Sequence, residues 1–432
     1  MPRRLFVFAT GLIVAAPACG DHDISPDEFC SPSPCTCPDG TSSNTSCIEP
    51  YVGQCSCHQD VPLPHDGDDG GGGRGGFVPP SEPTVWASCP FETNTYNGAI
   101  ALTSSRIVFS CSDVDTTYGP TQGGGPTAIV WAPKPKAGDD LASHLPEVGR
   151  TIVKRTSSPA SQARPTLDGG YGLAGAVEEG IAITGFYSPT NGHQRETFWY
   201  ATYEGTMKQL QDGDGGWCIA FGRDPGRCVH AGVGVNFQVE PIPPMAGSSA
   251  GKFTANIDDA TCTQWVGTLV VKDHVYVGAY CNIGSADAES RIYDVTNDAH
   301  FRLVAKSSDS TTPIVSSHFA ISGDTLYGAL NNTNVGLFSV SVATGAITTK
   351  IAPVGPGAYV FAADDKAVYL RDKSDNTANA PLRLRKIPLD GSPAETIAEF
   401  ATGGAWLELD GDAIYWSDLD DSGRQCVKVR KK

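Results

Sequence analysis

One local pattern recurs along this chain. The stretch LELDGDAIYWSD (407–418) runs from a few apolar residues through an Asp-Gly-Asp turn into an alternating apolar run that carries aromatics. Turn residues of this kind tolerate positive φ, and β-branched and aromatic residues fill a pleated face, so the stretch predicts a β-hairpin. Related stretches are AIALTSSRIVFS (99–110), VVKDHVYVGAY (270–280), FAISGDTLYGAL (319–330) and YVFAADDKAVYL (359–370). In the last four copies the aromatic falls at Tyr276, Tyr327, Tyr369 and Tyr415, spaced by 51, 42 and 46 residues.

A second hairpin accompanies these units, as in TFWYATYEGTMKQL from Thr197, RIYDVTNDAHFRLVAK from Arg291, GLFSVSVATGAITTKIA from Gly336 and RLRKIPLDGSPAETIAEF from Arg383. Two hairpins per period make a four-stranded sheet with two faces to bury, so the sheets stack on one another and close into a ring: an all-β β-propeller. IYWSD with its PLDGS partner resembles the YWTD-type and related bacterial propeller repeats, with VYVG, LYGA and VYLR as degenerate copies. That resemblance implies an architecture in which the aromatic strand packs between blades, and implies no chemistry. Seven units are favoured, beginning near Cys89, Leu173, Trp217, Cys262, His318, Ala358 and Trp406; the third, WCIAFGRDPGRCVHAGVG, fits the pattern worst and leaves six possible. The last unit ends at CVKVRKK after three strands, and PTVWAS (83–88) is placed to supply its fourth.

Composition agrees with short strands and tight turns: 49 Gly, 31 Pro and only 18% charged residues. The formal net charge of −17 opposes binding to nucleic acid, which needs clustered cations. The first residues, MPRRLFVFATGLIVAAPACGD, give a basic start, an apolar run too short to span a bilayer, and small residues before Cys19; residues 1–18 are expected to be a signal peptide. APAC resembles a bacterial lipobox, which implies lipidation of Cys19 and attachment to a membrane by that lipid alone, in the periplasm or at the cell surface; plain cleavage at the same bond is the alternative. A tether (19–29), a Cys-rich module (30–60) and a Gly/Asp/Pro linker (61–83) then precede the propeller at 84–432.

Fourteen cysteines in an exported chain imply disulfides. Six fall between Cys30 and Cys57, a segment too short to build a core and expected to be ordered by its own bridges. In the propeller, Cys89 with Cys111 and Cys262 with Cys281 flank matching hairpins, and Cys218 with Cys228 flanks a shorter one. Cys426 is then left over, unless ring closure brings it to Cys89 instead.

The chemistry is sparse. Asp418, Asp420 and Ser422 give the D-x-D-x-S start of a calcium loop, but strands flank it and Val429 stands where a bidentate Glu would be required; no cofactor is predicted, with Ca2+ as a weak candidate. His230, His274 and His318 come from three successive units and would have to converge on the ring axis to hold a metal. No nucleophile elbow, phosphate loop or dinucleotide fingerprint is present, so no catalytic residue is assigned. The sequence reading is an exported, lipid-anchored propeller that binds a protein or glycan at the bacterial cell envelope, with a metal-dependent propeller lyase or lactonase, or a structural envelope protein, as alternatives.

Overall fold

The computed structural model describes residues 77–432 except for connecting segments, the longest being 90–98, 112–127, 140–148 and 155–170, together with two short N-terminal strands. Those strands, Pro34–Thr36 and Ser42–Asn44, pair antiparallel in a unit of their own, residues 1–72. Cys19 and the cysteine pairing between residues 30 and 57 lie outside the described residues.

Residues 84–431 form seven four-stranded antiparallel sheets, which settles the choice between six and seven. Blades 1 to 6 take 100–154, 171–212, 218–256, 262–307, 319–352 and 359–400, each running in simple order from first to fourth strand. Blade 7 takes three strands from 407–431 and its outermost from Thr84–Ser88. The first strand of every blade adjoins the first strand of the next, and that of blade 7 (Leu407–Asp410) adjoins that of blade 1 (Ile100–Leu102). The structure is therefore a closed seven-bladed propeller with its first strands around the axis.

Among the described residues there is no single core. Seven separate apolar clusters occupy the seven gaps between neighbouring blades. The period of two in the central strand Ala413–Leu419 shows how one strand serves two gaps: Ala413 and Tyr415 pack toward blade 1, while Ile414 and Trp416 pack toward blade 6. The recurring aromatics of the sequence all have this role. Tyr276, Tyr327, Tyr369 and Tyr415 sit in successive gaps, each 8% exposed or less. Where blades approach most closely, glycine is required: a Cβ on Gly267 would lie 2.0 Å from the Ser316 carbonyl oxygen of the next blade.

Blade 3 fits the sequence pattern poorly because it supplies no inter-blade tyrosine. Blade 2 provides Phe198 and Tyr200 to their shared gap, against Cys228 and Ile242 of blade 3, and the Cys218–Cys228 disulfide ties the blade 3 hairpin across its strands.

Ring closure is concentrated at the seam between blades 7 and 1. The strand Thr84–Ser88 pairs with Gln425–Lys431. Trp86 is 3% exposed and donates its indole N–H to the Pro133 carbonyl of blade 1 (2.9 Å), and the Gln425 side chain donates to the Ser110 carbonyl (2.6 Å). Cys89, one residue beyond the closing strand, bonds to Cys111 in blade 1. This disulfide joins two blades, whereas Cys262–Cys281 lies within one hairpin, so the similar sequence spacing hides two different roles. Cys426 stays a free, buried thiol whose titration is pushed up by burial first, with Asp418 adding to it.

Two outcomes follow. Trp86→Ala removes a buried indole from the seam and is expected to cost about 3–5 kcal/mol in denaturant unfolding. Alkylation followed by peptide mass mapping should leave Cys426 unmodified in the native protein and modified after unfolding, because a buried, protonated thiol is a poor nucleophile.

Candidate functional site

Inner strands are the natural place to look for function, since they alone combine a rigid scaffold with access to the axis. Three of them carry a contiguous ring network. His318, at the entry to the first strand of blade 5, stacks on Tyr359 of blade 6 (centroids 4.7 Å apart). Tyr359 and Phe361, whose rings lie 4.9 Å apart across an irregularity in the strand Tyr359–Ala363, both meet Trp406 of blade 7, at 5.9 and 5.7 Å. The Arg371 guanidinium lies 4.8 Å above the Tyr359 ring and 5.7 Å from the Phe361 ring. These rings are only partly buried, unlike the tyrosines between blades.

Backbone anchors fix this rim. The segment leading to Tyr359 is held where Gly355 N–H donates to the fully buried Asp372 carboxylate (2.8 Å), and a Cβ on Gly355 would clash with the Lys373 carbonyl. Asp372 is itself clamped by Arg383 and Arg385, so a buried charge is compensated and rigidly placed. Trp406 exchanges hydrogen bonds with Ser417: its N–H donates to Ser417 Oγ, and its carbonyl accepts from Ser417 N–H (3.1 Å each). Ser316 Oγ donates to the His318 carbonyl and accepts the Ala329 N–H, ordering the entry to blade 5.

Two residues after Trp406, in the strand that its pairing with Ser417 leads into, stands Glu408. Its carboxylate accepts from Arg223 at 2.8 Å. Arg223 ends the first strand of blade 3, and blades 3 and 7 are not neighbours on either side of the ring. The pair therefore crosses the axis, and the channel at this level is narrow enough for two side chains to span.

The rim's titration follows from this enclosure. Burial raises the Glu408 carboxyl and outweighs the Arg223 attraction that lowers it. Its side chain is nonetheless 31% exposed and opens onto the channel. Burial pushes the Tyr359 phenol up to about 12, with Arg371 opposing and Glu408 reinforcing the shift. Burial pushes His318 down to about 4; its Nδ1–H donates to the Val360 carbonyl (2.9 Å), and the ring is neutral at neutral pH.

The three histidines do not meet. His230 is buried against Phe198 and faces Glu240, and His274 lies against Asp294 (Nδ1 to Oδ1, 2.9 Å) and over Tyr276. Among the described residues no group of three or more His, Cys, Asp or Glu is placed to hold a metal ion. The calcium-like loop is occupied by its own protein. Asp420 accepts from Ser88, Arg424 and the Ser422 and Arg424 amides, while Asp418 accepts from Trp416, Leu419 N–H and Lys428, so the two carboxylates face different partners. Sequence reasoning missed Arg223 and Glu408. The available signal was a charged residue on the axis-facing strand of the LELD hairpin, but nothing local says that its partner lies 185 residues away.

No protein-family profile and no curated protein sequence matches the chain. Among solved structures it is similar to a prolyl endopeptidase (TM-score 0.44, 13% identity, covering 78% of this chain and 50% of that one). It is also similar to a puromycin hydrolase (TM-score 0.40, 12% identity, 81% and 56%). The chain spans about half the length of these structures. What is defined is a seven-bladed β-propeller with disulfide-bonded blades, suited to an oxidising, exported environment. Among the described residues no helix is long and apolar enough to cross a membrane.

The sign of the Glu408 effect is testable. A carboxyl raised on folding binds its proton more tightly in the native state, so protonation stabilises and ionisation destabilises the fold. Melting temperatures of the protein and of Glu408→Gln, compared from about pH 8 to pH 4, should show the unsubstituted protein gaining stability relative to the variant as pH falls.

Proposed function

We propose that the protein is an exported, Cys19-lipidated propeller of the YWTD-like kind that recognises a glycan at the bacterial cell envelope, with the ligand seated at the rim of blades 5 to 7. The observation that carries this reading is the partly exposed Tyr359–Phe361–Trp406 network beside the charged Arg223–Glu408 pair. Aromatic surface accepts the apolar face of a pyranose, and charged groups next to it hydrogen-bond to ring substituents. A channel spanned by one Arg–Glu pair admits a sugar residue or a chain end rather than the surface of a folded protein. The reading also agrees with a rim built for rigidity, since a binding site gains affinity when its groups are already ordered.

The N-terminal leader and Cys19 support the lipid anchor, whose direct check is a diacyl mass on the Cys19 peptide. Recognition itself is tested by titrating envelope-derived oligosaccharides while following tryptophan fluorescence. Trp406→Ala should weaken binding by about thirty-fold, the ~2 kcal/mol of an aromatic hot spot, with circular dichroism unchanged. Undiminished binding in this variant would remove the rim from consideration.

A further inference from the structure

We infer that Arg223 is a carboxylate-binding residue in the channel, that Glu408 occupies it in the ligand-free ring, and that the glycan recognised is therefore an acidic one. The inference rests on the glycan-binding reading and deepens it. It begins from the form of the cross-channel contact. Arg223 meets Glu408 through one terminal nitrogen and one carboxylate oxygen, 2.8 Å apart. Among the described residues neither side chain has another hydrogen-bond partner. A guanidinium presents a fork of donors that matches a carboxylate through two parallel bonds, and this contact leaves most of that fork unused.

The contact is also accessible. Arg223 is 42% and Glu408 31% exposed, and an ion pair open to water contributes on the order of 0–1 kcal/mol. An incoming carboxylate able to take both donors displaces such a partner at little cost. No covalent structure holds the pair together either: blades 3 and 7 keep their places through their own neighbours and not through this bond. Opening it changes the channel and leaves the ring intact.

Position then selects the ligand. Trp406 immediately precedes the strand that carries Glu408, with Tyr359 and Phe361 against the tryptophan. A pyranose stacked on this rim would carry a ring carboxylate toward the axis, where Arg223 reaches in from the opposite blade. In a chain of net charge −17, an arginine on the axis with only a displaceable partner gives an anion a local destination that the surface as a whole does not offer. Glu408 is the internal stand-in for that anion, and it adds selectivity, because a neutral sugar gains too little from Arg223 to displace it.

The test is calorimetric titration of the full exported chain with a panel of uronate- and sialate-containing oligosaccharides and their carboxyl-methylated counterparts. The acidic members should bind at least tenfold more tightly than their esters. Glu408→Gln should tighten acidic ligands by about three- to tenfold, since it removes both a competitor and a like charge. Arg223→Gln should abolish the preference for acid over ester, with melting temperature and circular dichroism confirming the fold. Equal binding of acids and esters, or weaker acid binding by Glu408→Gln, overturns the inference and leaves glycan recognition standing. Failure of every sugar in the panel, or binding only of peptides with a free C-terminus in the same assay, overturns both.

Discussion

Everything in this molecule depends on the closure of the ring. Each blade has two apolar faces and no core of its own, so a blade is stable only while both neighbours are in place. An open series of such sheets would expose one apolar face at each end and a row of unpaired strand groups. The strand Thr84–Ser88 removes both liabilities by completing blade 7 from the other end of the fold. Hydrogen bonds from Trp86 and Gln425 and the Cys89–Cys111 disulfide then bind blade 7 to blade 1. The two cysteines are 22 residues apart in sequence, so the bridge closes a short loop and acts by pinning the closing strand to blade 1, while the sequence-distant contact is the strand pairing itself.

Closure also explains where polar groups are found. Between blades the side chains are mostly apolar or, like the tyrosines, buried aromatics; the buried polar groups face partners, as His230 faces Glu240, and the fully buried Asp372 is offset by two arginines and a backbone N–H. At the inner edge, blades are too close for large layers of side chains but do not fill the axis. Groups there remain part-exposed and meet partners from distant blades, as Arg223 meets Glu408. The aromatic rim shares this edge with the ion pair, so stacking surface and charge occupy one rigid frame. A propeller places such groups with little conformational freedom to lose on binding.

Much of the fold was legible in local sequence because a hairpin's signals are local. Asp-Gly turns, alternating apolar residues and the spacing of Tyr276, Tyr327, Tyr369 and Tyr415 each report on a few adjacent residues, and together they report a repeat. Blade 3 was the weakest because it has no tyrosine in the repeat position: the fully packed aromatics of the gap it shares with blade 2 are Phe198 and Tyr200 of blade 2, and blade 3 adds only the partly buried Phe221. The two roles of disulfides at nearly equal spacing were likewise invisible. Whether a bridge closes one hairpin or two blades depends on which sheet receives the strand before Cys89.

By itself, then, the sequence determined the strand pattern, the unit length, the missing fourth strand of the last unit and the residue that packs between blades. Each is encoded by period-two patterning and turn chemistry over short distances. Only the tertiary structure decided that there are seven blades, that Cys89 staples the seam, and that the histidines of blades 3 to 5 lie apart. It also decided that Arg223 and Glu408 face one another across the axis. The physical reason is that a ring brings together residues according to the number and rotation of whole blades, and no local propensity carries that information.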